Sequence, residues 1–246
     1  MNRPKEIIIL QFVDSLIPLT ITYNSRKNVR FKFSSKGGAI SMPPFLKNSD
    51  KEQFIDKGKS WTQDYLTKHP EWLAVFSKNK YQEGQIIKTN LKSYSIVRKE
   101  YSGKTQVKLS VDLLELKIPE NPGDQFKILN EIRTAIHKRI SKDQLVFIER
   151  LVDETNDYTL QVDINNIKLK YNQSNWGSCS SNRNLSFSSR LLFAPEWVFI
   201  SVIKHELAHF KEMNHSNAFW NIVKAIDKDY LRSDKWLKAN SWNCDF

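Results

Sequence analysis

Glycine and proline are scarce in this chain, 7 and 8 of 246 residues, which excludes collagen-like and low-complexity classes. Cysteine is scarcer still. Cys179 and Cys244 cannot staple a chain of this length, so a buried core must hold it together, and a reducing, cytoplasmic location is expected. No run of 18 apolar residues exists. The nearest, Ile7 to Val13, is interrupted by Gln11, followed at once by Asp14 and without a small-residue cleavage site. It reads as a strand, and no membrane partner is expected.

Acidic residues are also in deficit, with 27 Asp and Glu against 38 Lys and Arg. The excess lies in the first half: residues 1 to 123 hold 21 cations against 12 anions, residues 124 to 246 hold 17 against 15. A positive face of that kind attracts nucleic acid or an acidic protein, because phosphate neutralisation supplies most non-specific binding. A solvated, soluble surface is the plainer reading. No helix-turn-helix, zinc-finger or RNP pattern accompanies the charge.

The first forty residues read as strands, Glu6 to Phe12, Pro18 to Tyr23, and a hairpin of Val29 to Ser34 with Ala39 to Met42. Helical spacing follows from Asn48 to about Phe76, with Ser49 as cap and Phe54, Trp61, Tyr65 and Trp72 as the expected buried stripe. Ile86 to Val97 and Thr105 to Ile118 return to strand, the second alternating in Val107, Leu109 and Val111. Pro119 to Gly123 reads as a boundary. The expected division is therefore 1–123, a basic β-rich portion with one helical segment, and 124–246. A long helix from Asp124 to about Val152, with Ser141 as a possible break, opens the second portion. Leu160 to Lys170 and Asn184 to Phe193 read as strands.

Pro195 then opens a strongly apolar helix that carries His205, Glu206 and His209. Positions four apart lie about 40° apart around a helix, so the two imidazoles share a face where neutral ring nitrogens can bind zinc. Glu206, beside them, is placed to accept a proton from water activated by the metal, the general-base role of H-E-x-x-H. A third imidazole, His215, would lie about 15 Å further along an unbroken helix. The helix must end first, and Met213-Asn214 is the expected place. His215 would then complete a three-histidine Zn2+ site, one ion per chain, with the fourth position open. Glu212, seven residues from His205, is the rival third ligand. His69, His137, Cys179 and Cys244 have no ligand spacing and read as packing residues.

The ordered series Trp176-Gly177-Ser178-Cys179-Ser180, His205-Glu-Leu-Ala-His209, Met213-Asn214-His215-Ser216, Phe219-Trp220 and Asp229-Tyr230 resembles the YgjP-like metallopeptidase family. The resemblance implies an α+β protein with a basic β-rich N-terminal portion and a zincin-like catalytic half, related to the SprT-like and WLM-type peptidases. It supports His205, His209 and His215 as ligands and Glu206 as the acid/base. One departure stands out: the family commonly has Arg before Trp-Gly-Ser, and here that place holds Asn175.

Beside the resemblance, Trp176, Gly177 and Ser178 fall between strand-like runs, where an edge strand can bind a peptide or a glycine can close a hairpin. Phe219 and Trp220 are expected to pack under the site. Arg190, Asn214, Asp229 and Tyr230 are candidates for substrate contact or for hydrogen bonds supporting the ligands. The expected activity is zinc-dependent hydrolysis of a peptide bond in a protein or peptide substrate. Two rivals stand beside it. One is hydrolysis of a non-peptide amide or ester. The other is nucleic-acid binding through the basic half, tested by neutralising Arg26, Lys27, Arg30 and Lys32.

Overall fold

The computed structural model describes residues 6–25, 27–119 and 124–244, in two compact units, residues 1–80 and 81–246. No helix among the described residues is long and apolar enough to cross a membrane. In the first unit, strands β1 (Glu6–Phe12), β2 (Ser15–Tyr23), β3 (Arg30–Ser34) and β4 (Gly37–Met42) form one sheet in the order β1-β2-β4-β3. The outer pairs are antiparallel and β2 runs parallel to β4. The core face is Leu19, Ile21, Ile40 and Met42, closed by α1 (Asn48–Lys68). Pro70 stops α1, because its ring cannot continue the helix, and α2 (Leu73–Phe76) follows a short 3-10 turn. Two expectations change here. Lys47, not Ser49, takes the cap position, and the buried positions of α1 are Gly58, Thr62 and Leu66. Phe54, Trp61 and Tyr65 are only half-buried. A Cβ on Gly58 would come within 2.4 Å of Ile40, so the helix lies too close to β4 for an aromatic stripe.

The second unit opens with the same ladder. Strands β5 (Ile86–Lys88), β6 (Ser93–Tyr101), β7 (Gln106–Ser110) and β8 (Leu113–Pro119) pair in the order β5-β6-β8-β7, again with a parallel central pair. The run read as one strand through Val111 is two, because Val111 adopts φ 54° in the turn between β7 and β8 and is 78% exposed. Helix α3 (Gln125–Asp157) runs on without a break. Asp124 caps it by accepting from the Lys127 N–H, and Ser141 sits buried inside it. A serine costs only about 0.5 kcal/mol in a helix interior, less than the apolar stripe on either side supplies.

The division of the chain thus falls after Lys80 and not near residue 123. Sheet and helix share one core, in which Tyr94, Ile96, Leu114 and Leu116 join Ile132, Ile136 and Ile140. A buried polar network locks them together: the Gln144 amide donates to Tyr94 Oη at 2.7 Å and Thr89 Oγ1 at 3.0 Å, and Tyr94 donates to Asp143 at 2.7 Å. The expected boundary at Pro119 to Gly123 closes β8, and residues 120–123 lie outside the described ones.

Beyond α3 lies a three-stranded sheet of order β10-β11-β9, built from β9 (Asn166–Lys170), β10 (Gly177–Cys179) and β11 (Asn184–Ser188). Both strand readings here shorten. Residues 161–165 are outside β9, with Gln161 at φ 48°, and residues 189–193 form a 3-10 turn after β11. Helices α4 (Glu196–Ala208), α5 (Asn217–Ile226) and α6 (Tyr230–Asn240) complete the unit. Val198, Phe199, Ile203 and Leu207 of α4 are buried, and Phe199 packs its ring 5.6 Å from Phe187 of β11. A helix this apolar all round belongs inside a core.

Candidate metal centre

Pro195 caps α4, and the helix ends at Ala208, five residues earlier than expected. Turn bonds follow, from Phe210 N to Leu207 O and from Lys211 and Glu212 N to Ala208 O. His209 therefore stands at the helix end, and residues 210–214 double back to bring His215 over the same spot. The three side chains offer ring nitrogens that all lie within 4.8 Å of one another, with His205 Nε2 and His215 Nε2 3.1 Å apart. Nitrogens at about 2.0 to 2.1 Å from a tetrahedral zinc stand roughly 3.4 Å from each other, so this donor set fits such an ion.

The loop is built to hold that arrangement. Ser216 caps α5 by accepting from the Phe219 N–H, which fixes His215 one residue before the helix starts. Phe219 is fully buried, with its ring centroid 4.9, 4.5 and 4.7 Å from those of His205, His209 and His215. It is the platform on which all three imidazoles rest, and Trp220 flanks His205 and His215. The Glu212 carbonyl lies 3.2 Å from His209 Nδ1, which sets that nitrogen as donor and turns Nε2 to the centre. The Glu212 carboxylate accepts from the Asn214 backbone N–H, bracing the loop; its oxygens are not part of the histidine cluster. Burial pushes His205 down to about 4, with the nearby His209 and His215 adding to the shift, so its ring is neutral as a metal requires.

Glu206 is 5% exposed, and burial pushes its carboxyl up to about 8. It lies against β10. A Cβ on Gly177 would stand 2.5 Å from Glu206 Oε1 and 2.7 Å from its Cγ, so only glycine leaves this carboxylate where it is. Trp176, Gly177, Ser178 and Tyr230 line the same cavity of about 820 Å³ as Glu206 and the histidines. Of the remaining candidates, Arg190 is buried elsewhere. Its guanidinium stacks 4.4 Å from the Trp176 ring and donates to the Ser241 carbonyl at 2.6 Å, so it props Trp176 from behind. Asn214 contributes its backbone N–H, and Asp229 is exposed near Arg232.

Asn175, in the place of the family's arginine, donates its amide to the Gly177 carbonyl at 2.9 Å. The Trp176 carbonyl accepts from Ser188 N, and Ser180 N donates to Asn184 O, so Trp176 and Ser180 face β11. By the alternation of an antiparallel ladder, the backbone groups of Gly177 and Cys179 point away from it, along the open edge of the sheet.

Cys179 also lines the cavity, with its thiol pushed up to about 11 by burial and by the Glu206 charge, which leaves it a poor nucleophile. His69 bonds Glu71, and buried His137 bonds Ser189 Oγ at 2.8 Å, both apart from the centre. Sequence reasoning missed Ser201, Val202, Ser233 and Leu237, which also line the cavity. Signals for them were present: Ser201 and Val202 lie one helical turn before His205 and Glu206, and Ser233 and Leu237 follow the candidate Tyr230 by three and seven residues on α6.

The sequence model described as YgjP-like, metallopeptidase domain matches residues 27–240. The chain belongs to the YgjP-like metallopeptidase family. That family membership makes it a metal-dependent peptidase, and the histidine cluster falls inside the matched residues. Among solved structures, the metallopeptidase zymogen abylysin of Pyrococcus abyssi is similar at 18% identity and a TM-score of 0.34, covering 38% of this chain and 95% of its own. Jannalysin of Methanocaldococcus jannaschii, also a metallopeptidase zymogen, gives 21% and 0.35, covering 38% of this chain and 96% of its own. A search of curated proteins gave no match.

Proposed function

We propose that this YgjP-like protein is a zinc peptidase of the zincin kind, with His205, His209 and His215 holding one Zn2+ and Glu206 as general base. The observation that carries the reading is the convergence of three imidazole nitrogens within 4.8 Å beside a buried carboxylate. When bound, zinc supplies Lewis-acid polarisation of the scissile carbonyl and makes water a nucleophile near neutral pH. Glu206 would serve as the base toward that water and as the acid toward the leaving amine, a role supported by its burial on the wall of the cavity that holds the histidines. The open edge of β10 accepts the substrate as an added strand, bonding the outward groups of Gly177 and Cys179 once the Asn175 amide yields the Gly177 carbonyl. Trp176, fixed by Arg190, and Tyr230 bound the cleft.

Replacing Glu206 by Gln keeps shape and loses the base. The expected outcome is one zinc per chain by elemental analysis and turnover of a peptide library reduced about 10² to 10⁴-fold. Full turnover in that variant would refute the role. The basic surface favours no second reading: Lys27, Arg30 and Lys32 are exposed as on any solvated face, and Arg26 lies outside the described residues.

A further inference from the structure

The cavity at the centre, about 820 Å³, extends well past the histidines and Glu206. One helical turn before His205, Val202 lies on the same side of α4, and α6 faces it with Leu237 and, one turn earlier, Ser233. Val202 and Leu237 are each 8% exposed and Ser233 2%, while Trp220 and Leu231 complete the wall. Two of the polar groups around these residues are committed. Ser201 Oγ donates to the Asp227 carboxylate, and Asp234 pairs with Lys238 at the exposed rim. A charged or amide side chain entering past that rim would shed water for few partners beyond a hydroxyl, whereas an aliphatic or aromatic one gains from burial against Val202, Trp220 and Leu237. The recess begins one turn, about 5.4 Å, from the helix positions of the proposed base and first ligand. That is within a side chain's length of the bond under attack.

Resting on the zinc-peptidase reading above, we infer that this recess is the side-chain subsite for the residue adjoining the scissile bond. It selects peptides with a large aliphatic or aromatic side chain there, and the small Ser233 sets its depth.

Calorimetry on the zinc-loaded full chain tests this without turnover. The probes are acetohydroxamate, which offers a zinc-chelating head alone, 3-phenylpropanohydroxamate, which adds an aromatic tail, and 6-aminohexanohydroxamate, which adds a cationic one. The wild type should bind the phenyl probe roughly 10 to 200 times more tightly than acetohydroxamate. Ser233→Phe, which fills the recess, should bring that ratio close to one. Leu231→Glu changes a residue 65% exposed and leaves the core intact; it should lower the ratio in part. Equal affinity for the two probes in the wild type, a ratio untouched by both variants, or tightest binding of the aminohexano probe would overturn the subsite while leaving the zinc reading in place. Failure of every hydroxamate to bind would overturn the zinc reading and the subsite with it.

Discussion

The two four-stranded sheets have one ladder between them, β1-β2-β4-β3 and β5-β6-β8-β7, each with a parallel pair at its centre and a helix after its last strand. Only the second leads to chemistry. The difference lies in the helix. The 21-residue α1 covers its sheet with three buried positions and stops at Pro70. The 33-residue α3 is roughly 50 Å long, against about 23 Å for β8, so it overhangs its sheet by half its length. Ile148 and Val152 on that overhang join the core of Leu185, Phe187 and Ile203, on which the candidate metal centre is mounted. The same sheet is thus a finished layer in one unit and a foundation in the other.

The comparison breaks if function follows the first unit. His215→Ala should abolish metal retention and peptidase turnover together, and removal of zinc by a chelator should do the same to the wild type; elemental analysis and a fluorogenic peptide assay check both. Matched cavities sharpen it. Ile40→Ala and Leu116→Ala each remove a fully buried side chain and should each cost about 2 to 5 kcal/mol by denaturant unfolding. Only Leu116→Ala should also lower zinc affinity in a competition titration. Gly177→Ala should keep the zinc but push Glu206 from its place, lowering kcat about 10²-fold with KM little changed. The smallest effect belongs to the turns, where Val13 and Val111 occupy φ 53° and 54°. Glycine at either should raise stability by about 1 kcal/mol in thermal unfolding, since a β-branched residue is strained there.

What the sequence revealed, and what it hid, follows the range of the forces involved. The limits of β1 and the shared face of His205 and His209 are local and were legible, and the motif series was enough to suggest the family. The continuity of α3 through Ser141 was not, because long-range burial overrides a weak local preference. Nor was the turn at Val111, since valine carries no turn signal. How far α6 reaches into the site depends on packing between distant elements, so Tyr230 was legible as a candidate while Ser233 and Leu237, further along the same helix, were not read as lining residues.

The early end of α4 has an electrostatic consequence. Aligned peptide dipoles leave the C-terminus of a helix with a partial negative charge of about half an electron, felt within the last turn. His205 lies in that turn and His209 is its cap, so the three imidazoles of the proposed zinc site gather at the negative pole of the helix. The backbone would thereby lend the proposed zinc site some of the anionic character that imidazoles lack, and a helix continued to Asn214, as the sequence suggested, would have carried that pole away from the histidines.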